Sequence, residues 1–280
     1  MSNPNALRHH LRHAKAQLTP HSDSPRLDAE LLLAHLLSVP RSYLFTHPEQ
    51  CLSVTQQTAF QQLLTARCQG KPVAYLLGKQ EFWSLSLTVT EATLIPRADT
   101  ECLVEAALNY LGGQDRARIL ELGTGSGAIA CALATERPTW QILATDRSDA
   151  ALAVAQTNVD ALRLSNITLR QHDWFQELDE PPFDLILSNP PYIAADDEHL
   201  PQLRHEPITA LVASDAGLGD LRHIIFAAAP FLKPGAWLML EHGYQQQTAV
   251  AELFQQAGFT LIHGLHDLNG HTRVTIAKLA

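Results

Sequence analysis

Residues 118–136 read RILELGTGSGAIACALATE, and this stretch decides the fold. Its first five residues form a short apolar run that predicts a buried strand, and its last nine are rich in helix formers. Between them, Gly123, Gly125 and Gly127 let the backbone turn sharply and approach a ligand closely. A strand, a glycine-rich turn and a helix in this order are typical of a doubly wound α/β sheet.

The same alternation of helices and strands extends from about residue 99 to residue 280. This order predicts a Rossmann-like, mostly parallel sheet of seven strands, in which ligands bind outside the carboxyl ends of the strands. The further predicted strands are 142–145, 167–170, 183–187, 237–240, 259–263 and 272–278, and the further helices are 100–111, 148–162, 219–231 and 246–256.

The chain before this sheet has a different pattern. Residues 26–37 are apolar on nearly all sides and residues 53–67 form a second clear helical run, so residues 1–78 are predicted to be a small all-α bundle. Residues 82–89 alternate with period two, and the alternation ends near residues 90–93, which predicts a short β-hairpin. We therefore expect a helical domain in 1–78, a hairpin linker in 79–97 and an α/β domain in 98–280.

Composition restricts the class of protein. The net charge is -9, which argues against holding nucleic acid by bulk electrostatics. The four cysteines are far apart and form no CxxC pair, so we expect reduced thiols and no metal site. Because the sequence has no signal-peptide core and no run of roughly 18 apolar residues, a soluble cytoplasmic protein is expected.

Three acidic positions at strand ends point to the ligand of the glycine turn. Asp146 ends the second strand of the sheet and can accept hydrogen bonds from both hydroxyls of a ribose. Asp173-Trp174 offers an acceptor for an adenine amino group and an aromatic face. The turn alone is compatible with NAD or with S-adenosylmethionine. Glu121 favours S-adenosylmethionine, because a carboxylate beneath the turn suits a sulfonium and an ammonium and repels a pyrophosphate.

Asn189-Pro190-Pro191-Tyr192 follows another predicted strand and forms a polar socket. The Asn189 side-chain carbonyl and the Pro190 backbone carbonyl are two acceptors for one planar –NH2 group, and the Tyr192 ring can cover its flat face. Such a socket suits the amide of a glutamine or the exocyclic amine of adenine or guanine. A rigid turn without a ligand is the structural alternative.

These motifs, in this order, resemble those of class I methyltransferases. The whole chain more closely resembles the protein-(glutamine-N5) methyltransferases of peptide chain release factors, the HemK/PrmC type. The segments 94–101 and Glu241-His242-Gly243 resemble further parts of that family, and Ala98 departs from its usual proline.

The resemblance implies methyl transfer from S-adenosyl-L-methionine to the side-chain amide nitrogen of the GGQ-motif glutamine in class 1 release factors. It also implies substrate recognition by the helical domain, a monomer, no metal, no membrane and no stable binding to nucleic acid. The residues assigned to the cofactor are Glu121, Gly123, Thr124, Gly125, Ser126, Gly127, Asp146, Asp173, Trp174 and Asn189. Those assigned to the substrate are Asn189, Pro190, Pro191 and Tyr192, of which Asn189, Pro190 and Tyr192 are the catalytic candidates.

Two other functions remain possible on the residues. A methyltransferase acting on adenine or guanine in nucleic acid would use the same socket, and Arg8, Arg12 and Lys15 fall at the spacing of one helix face. The net charge and the lack of a basic, aromatic-rich arm argue against it. A protein that binds the cofactor without turnover would not need an amine-gripping loop.

Overall fold

The structure, a computed structural model, describes residues 5–267 and 269–280. The chain forms two compact units, Met1–Lys79 and Gln80–Ala280, and residues 80–97 group with the second unit. The functional division into helical domain, linker and α/β domain stays a prediction. Within the described ranges, no helix is long and apolar enough to cross a membrane.

The described residues of the first unit, from residue 5 on, form five helices around one apolar core. The predicted helices 26–37 and 53–67 are confirmed as α2 and α4, to within one residue. α4 begins with a capping box, in which Ser53 Oγ accepts from the Gln56 N–H and Gln56 Oε1 accepts from the Ser53 N–H. The helices are α1 (Leu7–Leu18), α2 (Pro25–Leu37), α3 (Tyr43–Thr46), α4 (Val54–Cys68) and α5 (Val73–Leu77).

A buried ion pair joins two of these helices. Asp28 lies on the nearly all-apolar α2, and its carboxylate accepts from Arg67 Nε on α4 at 2.7 Å. The hydroxyls of Ser22 and Ser24 donate to the same carboxylate at 2.7 and 3.0 Å. Because a buried carboxylate is tolerated only when it is paired and hydrogen-bonded, these contacts explain its place in the helix.

The predicted hairpin exists, and its turn lies inside the alternating run. The strands are β1 (Lys79–Phe82) and β2 (Leu85–Thr88), so the chain reverses at Trp83 and Ser84. Both turn residues have positive φ, 52° and 60°, as a type I′ turn requires. Glu101 accepts from the Trp83 backbone N–H, and Glu136 accepts from its indole N–H. These distant partners hold a dipeptide that carries no local turn signal.

The second unit is built on the predicted seven-stranded sheet, with strand order β5-β4-β3-β6-β7-β9-β8. All pairs are parallel except those of β9 with its two neighbours. The strands are β3 (Arg118–Leu122), β4 (Gln141–Asp146), β5 (Ile167–Gln171), β6 (Phe183–Ser188), β7 (Leu232–Glu241), β8 (Thr260–His266) and β9 (Thr272–Lys278). The helices are α6 (Glu101–Leu111), α7 (Ala128–Glu136), α8 (Asp149–Leu162), α9 (Gly219–Ala227) and α10 (Gln247–Gln256).

Helices cover both faces of this sheet. Successive residues of β3 enter two different cores: Ile119 packs with α6, α7 and α8, and Leu120 packs with α9 and α10. This accounts for the nearly continuous apolar run of the strand, because a parallel strand is buried on both faces. α9 ends at Ala227, four residues before the predicted end, since Pro230 cannot continue the helix.

Asn158 on α8 ties three parts of the second unit together. Its Oδ1 accepts from the Thr88 N–H at 2.7 Å, and its Nδ2 donates to the carbonyls of Thr88 and Ser126 at 3.0 and 2.9 Å. The residue is 1% exposed, so water cannot replace these bonds. The hairpin and the glycine turn are therefore both fixed to α8.

We expect Asn158→Ala to lower the free energy of unfolding by about 2–4 kcal/mol, because it leaves buried backbone groups without partners. Urea titration followed by circular dichroism measures this loss. Asn109→Ala, on an exposed helical position, is the matched control and should change stability by less than about 0.5 kcal/mol. Equal stabilities of the two variants would contradict the assigned role.

Candidate active site

A cavity of about 310 Å³ opens at the carboxyl ends of β3, β4 and β6. The parallel register aligns Leu122 with Thr145 on one side and with Ser188 on the other, so the three following loops meet there. The residues predicted to bind the cofactor that line the cavity are Glu121, Gly123, Thr124, Gly125, Ser126, Asp146, Asp173, Trp174 and Asn189.

Gly127 is the one predicted cofactor residue that is not among the cavity-lining residues. It is buried beneath the turn at φ +78°, where a Cβ would approach the Cβ of Ala155 to 3.2 Å. The structure therefore gives this glycine a packing role between α7 and α8.

Asp146 organises the glycine turn. Its Oδ2 accepts from the Gly125 N–H at 2.9 Å, and its Oδ1 accepts from the Ser148 N–H at 2.9 Å. The Thr124 N–H donates to the Thr145 carbonyl at 2.8 Å and fixes the other side of the turn. A carboxylate has about four lone-pair sites, so Asp146 can still accept from hydroxyls of a ligand.

Glu121 is a buried acid in the cavity wall, only 1% exposed. The Thr124 hydroxyl donates to its Oε2 at 2.9 Å. Burial, and to a smaller extent the charge of Asp146, raise the pKa of Glu121, whereas hydrogen bonds from Thr124 and the Ala130 N–H lower it. The resulting pKa is about 8. A positive charge beside Glu121 would restore its ionised form.

The charge of the cavity wall indicates the kind of cofactor that fits. Two arginines, Arg97 and Arg147, also line the cavity. Four acidic side chains line it: Asp146, Asp173, Asp220 and Glu121, of which Glu121 keeps its proton up to about pH 8. This excess of acids suits a cationic cofactor such as S-adenosylmethionine and opposes the pyrophosphate of NAD.

Trp174 lies against the glycine turn. A Cβ on Gly123 would be 3.5 Å from the Trp174 ring, so this side chain and the turn are in close contact. Trp174 has φ +52°, an uncommon value for a bulky residue, and its side chain lies close enough to Asp220 of α9 to act on the pKa of that carboxyl. Trp174 and Asp220 both line the cavity.

A smaller pocket of about 150 Å³ adjoins the cavity. Pro190 and Tyr192 line only this pocket, whereas Asn189 lines both spaces. Leu94, Arg97 and Ala210 are the other shared wall residues. The four residues of the predicted socket therefore stand at the boundary between a cofactor-sized cavity and a side-chain-sized pocket.

Contacts behind the socket fix its shape. Asn189 Nδ2 donates to the Thr100 hydroxyl at 3.1 Å, and the Tyr192 hydroxyl donates to Glu241 Oε1 at 3.4 Å. Gln246 Nε2 donates to the Tyr192 carbonyl at 3.0 Å. A Cβ on Gly217 would lie 2.2 Å from that carbonyl, so only glycine fits there.

An ion pair fixes the part of the wall that contains Arg97, which lines both spaces. Glu206, whose side chain is 3% exposed, accepts from Arg97 Nη2 at 2.5 Å and from the Ile95 N–H at 3.1 Å. It joins the segment before α6 to the loop between β6 and α9. This contact spans 109 residues of sequence between Arg97 and Glu206.

The sequence patterns assign no roles to Thr100, Glu241, Glu206 and Asp220. Glu241 carries a signal that could have found it, because it is polar and directly follows an apolar strand run, as Asp146 and Asn189 do. Glu206 and Asp220 lie in or after a long loop and carry no such pattern.

The raised pKa of Glu121 predicts how stability changes with pH. The folded chain keeps a proton up to about pH 8 that an ordinary Glu, with a pKa of 4.5, releases. Stability without cofactor should therefore fall as the pH rises from about 4.5 to about 8, by up to about 1.4 kcal/mol per pH unit for this group, and should level off above that range. Glu121→Gln should flatten this part of the profile in urea titrations.

Glu105→Gln, at an exposed position of α6, is the control and should keep the wild-type slope of stability against pH. A Glu121→Gln profile parallel to that of the wild type would contradict the assigned protonation of Glu121.

Two family descriptions match the chain. Residues 9–78 match the PrmC N-terminal domain, and residues 99–214 match the methyltransferase small domain.

Full-length relatives extend this likeness to nearly the whole sequence. The release factor glutamine methyltransferase of Shewanella oneidensis is 45% identical over 280 residues, covering 99% of this chain and 98% of its own. That of Escherichia coli is 48% identical over 272 residues, covering 96% and 98% of the two chains.

A solved structure supports the fold. A 16S rRNA methyltransferase of T. Thermophilus, determined in complex with AdoMet and guanosine, matches with a TM-score of 0.52 at 21% identity, over 72% of this chain and 50% of that one. Because two full-length relatives are 45% and 48% identical to it, this chain belongs to the release factor glutamine methyltransferase family.

Proposed function

We propose that this chain transfers a methyl group from S-adenosylmethionine to the side-chain amide nitrogen, N5, of a glutamine in peptide chain release factors. The observation that carries the proposal is the shared wall at Asn189, where an acidic, cofactor-sized cavity meets a pocket of side-chain size. The names of the full-length relatives support the same reaction.

The acidic cavity supports S-adenosylmethionine as the cofactor. When bound, that cofactor supplies a methyl group on a positively charged sulfur. The glycine turn would approach it closely, Glu121 would face its cationic end and Asp146 would accept from the ribose hydroxyls. Asp173 and Trp174 would bind the adenine side. Gly127 would act through packing of the turn.

The socket must make a poor nucleophile reactive. The lone pair of an amide nitrogen is delocalised into its carbonyl, so electron density has to be drawn back onto nitrogen. Asn189 Oδ1 and the Pro190 carbonyl would accept hydrogen bonds from both N–H groups and stabilise the positive charge that develops on nitrogen, and one N–H proton would leave to solvent after the transfer. Thr100 engages Nδ2 of Asn189, which leaves Oδ1 for the substrate. Tyr192 would pack on the amide plane, and Pro191 would stiffen the loop.

The helical unit is our candidate for recognition of the rest of the release factor. Its residues 9–78 match a domain found at the N-terminus of this type of enzyme. A glutamine on a macromolecule needs more contact area than a four-residue socket supplies. We propose class 1 release factors as the substrate, and a monomer in the cytoplasm as the working form.

Methylation of a nucleobase is the less favoured reaction. Its exocyclic amine fits the same two acceptors, but the full-length relatives are named for a glutamine in release factors. The net charge of -9 also opposes binding to a phosphate backbone.

Label transfer tests the reaction directly. The protein is incubated with isotopically labelled S-adenosylmethionine and with a release factor, the same factor carrying Ala for its GGQ glutamine, or duplex DNA and RNA. Mass spectrometry should find the methyl group only on the glutamine of the unaltered factor. Label on a base would refute the proposed function.

We expect Asn189→Ala to lower kcat by about tenfold to a hundredfold, because one of two acceptors for the substrate amide is lost. The affinity for S-adenosylmethionine, measured by calorimetry, should change less than about threefold. Asn109→Ala, exposed on α6, serves as the control with unchanged kcat. Near-normal turnover in Asn189→Ala would contradict the proposed role of Asn189 as an acceptor for the substrate amide.

We expect Asp146→Ala to weaken S-adenosylmethionine binding by about tenfold to a hundredfold, since hydrogen bonds to a charged carboxylate are lost. Asp146 also holds the turn, so the same variant is titrated with a 2′-deoxyribose analogue. A smaller loss for the analogue assigns part of the effect to the ribose. Asp149→Ala, an exposed acid at the start of α8, should bind normally.

A further inference from the structure

Glu241 is a buried acid behind the socket, and the mechanism above leaves it unused. It is the last residue of β7, and the pairing of Ser188 with Leu240 places it beside Asn189 at the same edge of the sheet. Glu241 is 1% exposed and is not among the lining residues of either space. It therefore cannot act by touching cofactor or substrate directly.

Two hydroxyls connect this carboxylate with the socket. The Tyr192 hydroxyl donates to Oε1 at 3.4 Å, and the Thr100 hydroxyl lies close enough to the carboxylate to act on its pKa. Within the described part of the chain, no well-aligned bond reaches Oε2. Thr100 Oγ1 in turn accepts from Asn189 Nδ2 at 3.1 Å. Carboxylate, hydroxyl and amide thus form a continuous relay.

The direction of each bond follows from counting hydrogens. An ionised carboxylate can only accept, so the single hydrogen of Thr100 points to Glu241. The oxygen of Thr100 is then an acceptor, and it selects the Nδ2 side of Asn189. The Oδ1 side must face the cavity, where a substrate –NH2 group needs an acceptor.

Protonation of Glu241 reverses these hydrogen-bond directions. Its carboxyl hydrogen can be donated to Thr100, and the Thr100 hydrogen becomes free to point at Asn189. The amide can then turn over, present Nδ2 to the cavity and oppose the N–H groups of a substrate amide.

We propose that Glu241 is a positioning residue that, through Thr100, orients the Asn189 amide and so sets the acceptor that the socket offers. The inference rests on the proposed function, because it concerns the same socket and the same amide. Glu241 itself takes no part in bond making.

Groups on several elements set the protonation of this relay. Burial, and to a smaller extent the charge of Asp99, raise the pKa of Glu241, whereas the Thr100 and Tyr192 hydroxyls and the Arg273 charge lower it, and the resulting pKa is about 7. The titratable or charged groups that face it are Asp99 before α6, Cys102 on α6, Tyr192 after β6 and Arg273 on β9. Because ionisation orients the amide correctly, single-turnover rates should rise with pH through about 7.

Glu241→Gln tests the relay with a side chain of the same shape that cannot ionise. We expect its single-turnover rate at pH 8 to fall about tenfold and the dependence on pH near 7 to disappear. Calorimetric affinity for S-adenosylmethionine should stay within about threefold of the wild type. A merely structural role would lower stability and leave the shape of the pH profile unchanged.

A second pair of variants keeps the test decisive if Glu241→Gln folds poorly. Thr100→Val removes the hydroxyl and should lose rate and pH dependence together, whereas Thr100→Ser should restore both. Thr275→Val is the matched control: this buried hydroxyl on β9 bonds His242 Nε2 at 2.7 Å and lies outside the relay, so the profile should stay that of the wild type.

The outcomes separate this inference from the proposed function. Wild-type protein that leaves no label on the release-factor glutamine refutes the proposed function. Wild-type labelling of that glutamine, combined with a wild-type pH profile in Glu241→Gln or Thr100→Val, overturns the relay alone.

Discussion

The parallel pairing of β3 between β4 and β6 is the constraint on which the rest of the structure depends. Parallel strands all point the same way, so the glycine turn, Asp146 and Asn189 emerge at one edge of the sheet. Their alignment is tightened by the Ser188 hydroxyl, which donates to the Leu122 carbonyl at 2.7 Å. The chain leaves β3 in one direction and returns on its other side at β6, and the crevice at this reversal is the cavity.

Burial of acids is the second physical theme of the site. Glu121, Glu206 and Glu241 are all nearly inaccessible to water, and the cost of burying the charge is met in two ways. Glu206 is paired with Arg97, whereas Glu121 and Glu241 rely on hydroxyl partners and have raised pKa values. Burying an acid lowers the stability of the fold, and buried acids with raised pKa values are commonly found at functional sites.

The cavity and the adjoining smaller pocket are formed by different structural elements. The larger cavity is formed by the ends of the central strands, whose register leaves little freedom. The smaller pocket depends on the loop between β6 and α9, which is held by Glu206, by Gln246 and by the tight approach of Gly217 to Tyr192. The proposed cofactor and substrate sites thus rest on separate structural elements that meet at Asn189, as a two-substrate transfer would require.

The sequence by itself determined the seven-stranded sheet, because strand and helix periods and the glycine turn are local patterns. It also placed Glu121, Asp146, Trp174 and Asn189 at strand ends, and nine of the ten predicted cofactor residues line one cavity. Only the tertiary structure decided the turn at Trp83, the packing role of Gly127 and the contacts of Thr100, Glu206 and Glu241. Those features depend on partners tens of residues away, and side-chain contacts at that range leave no periodic trace in the sequence.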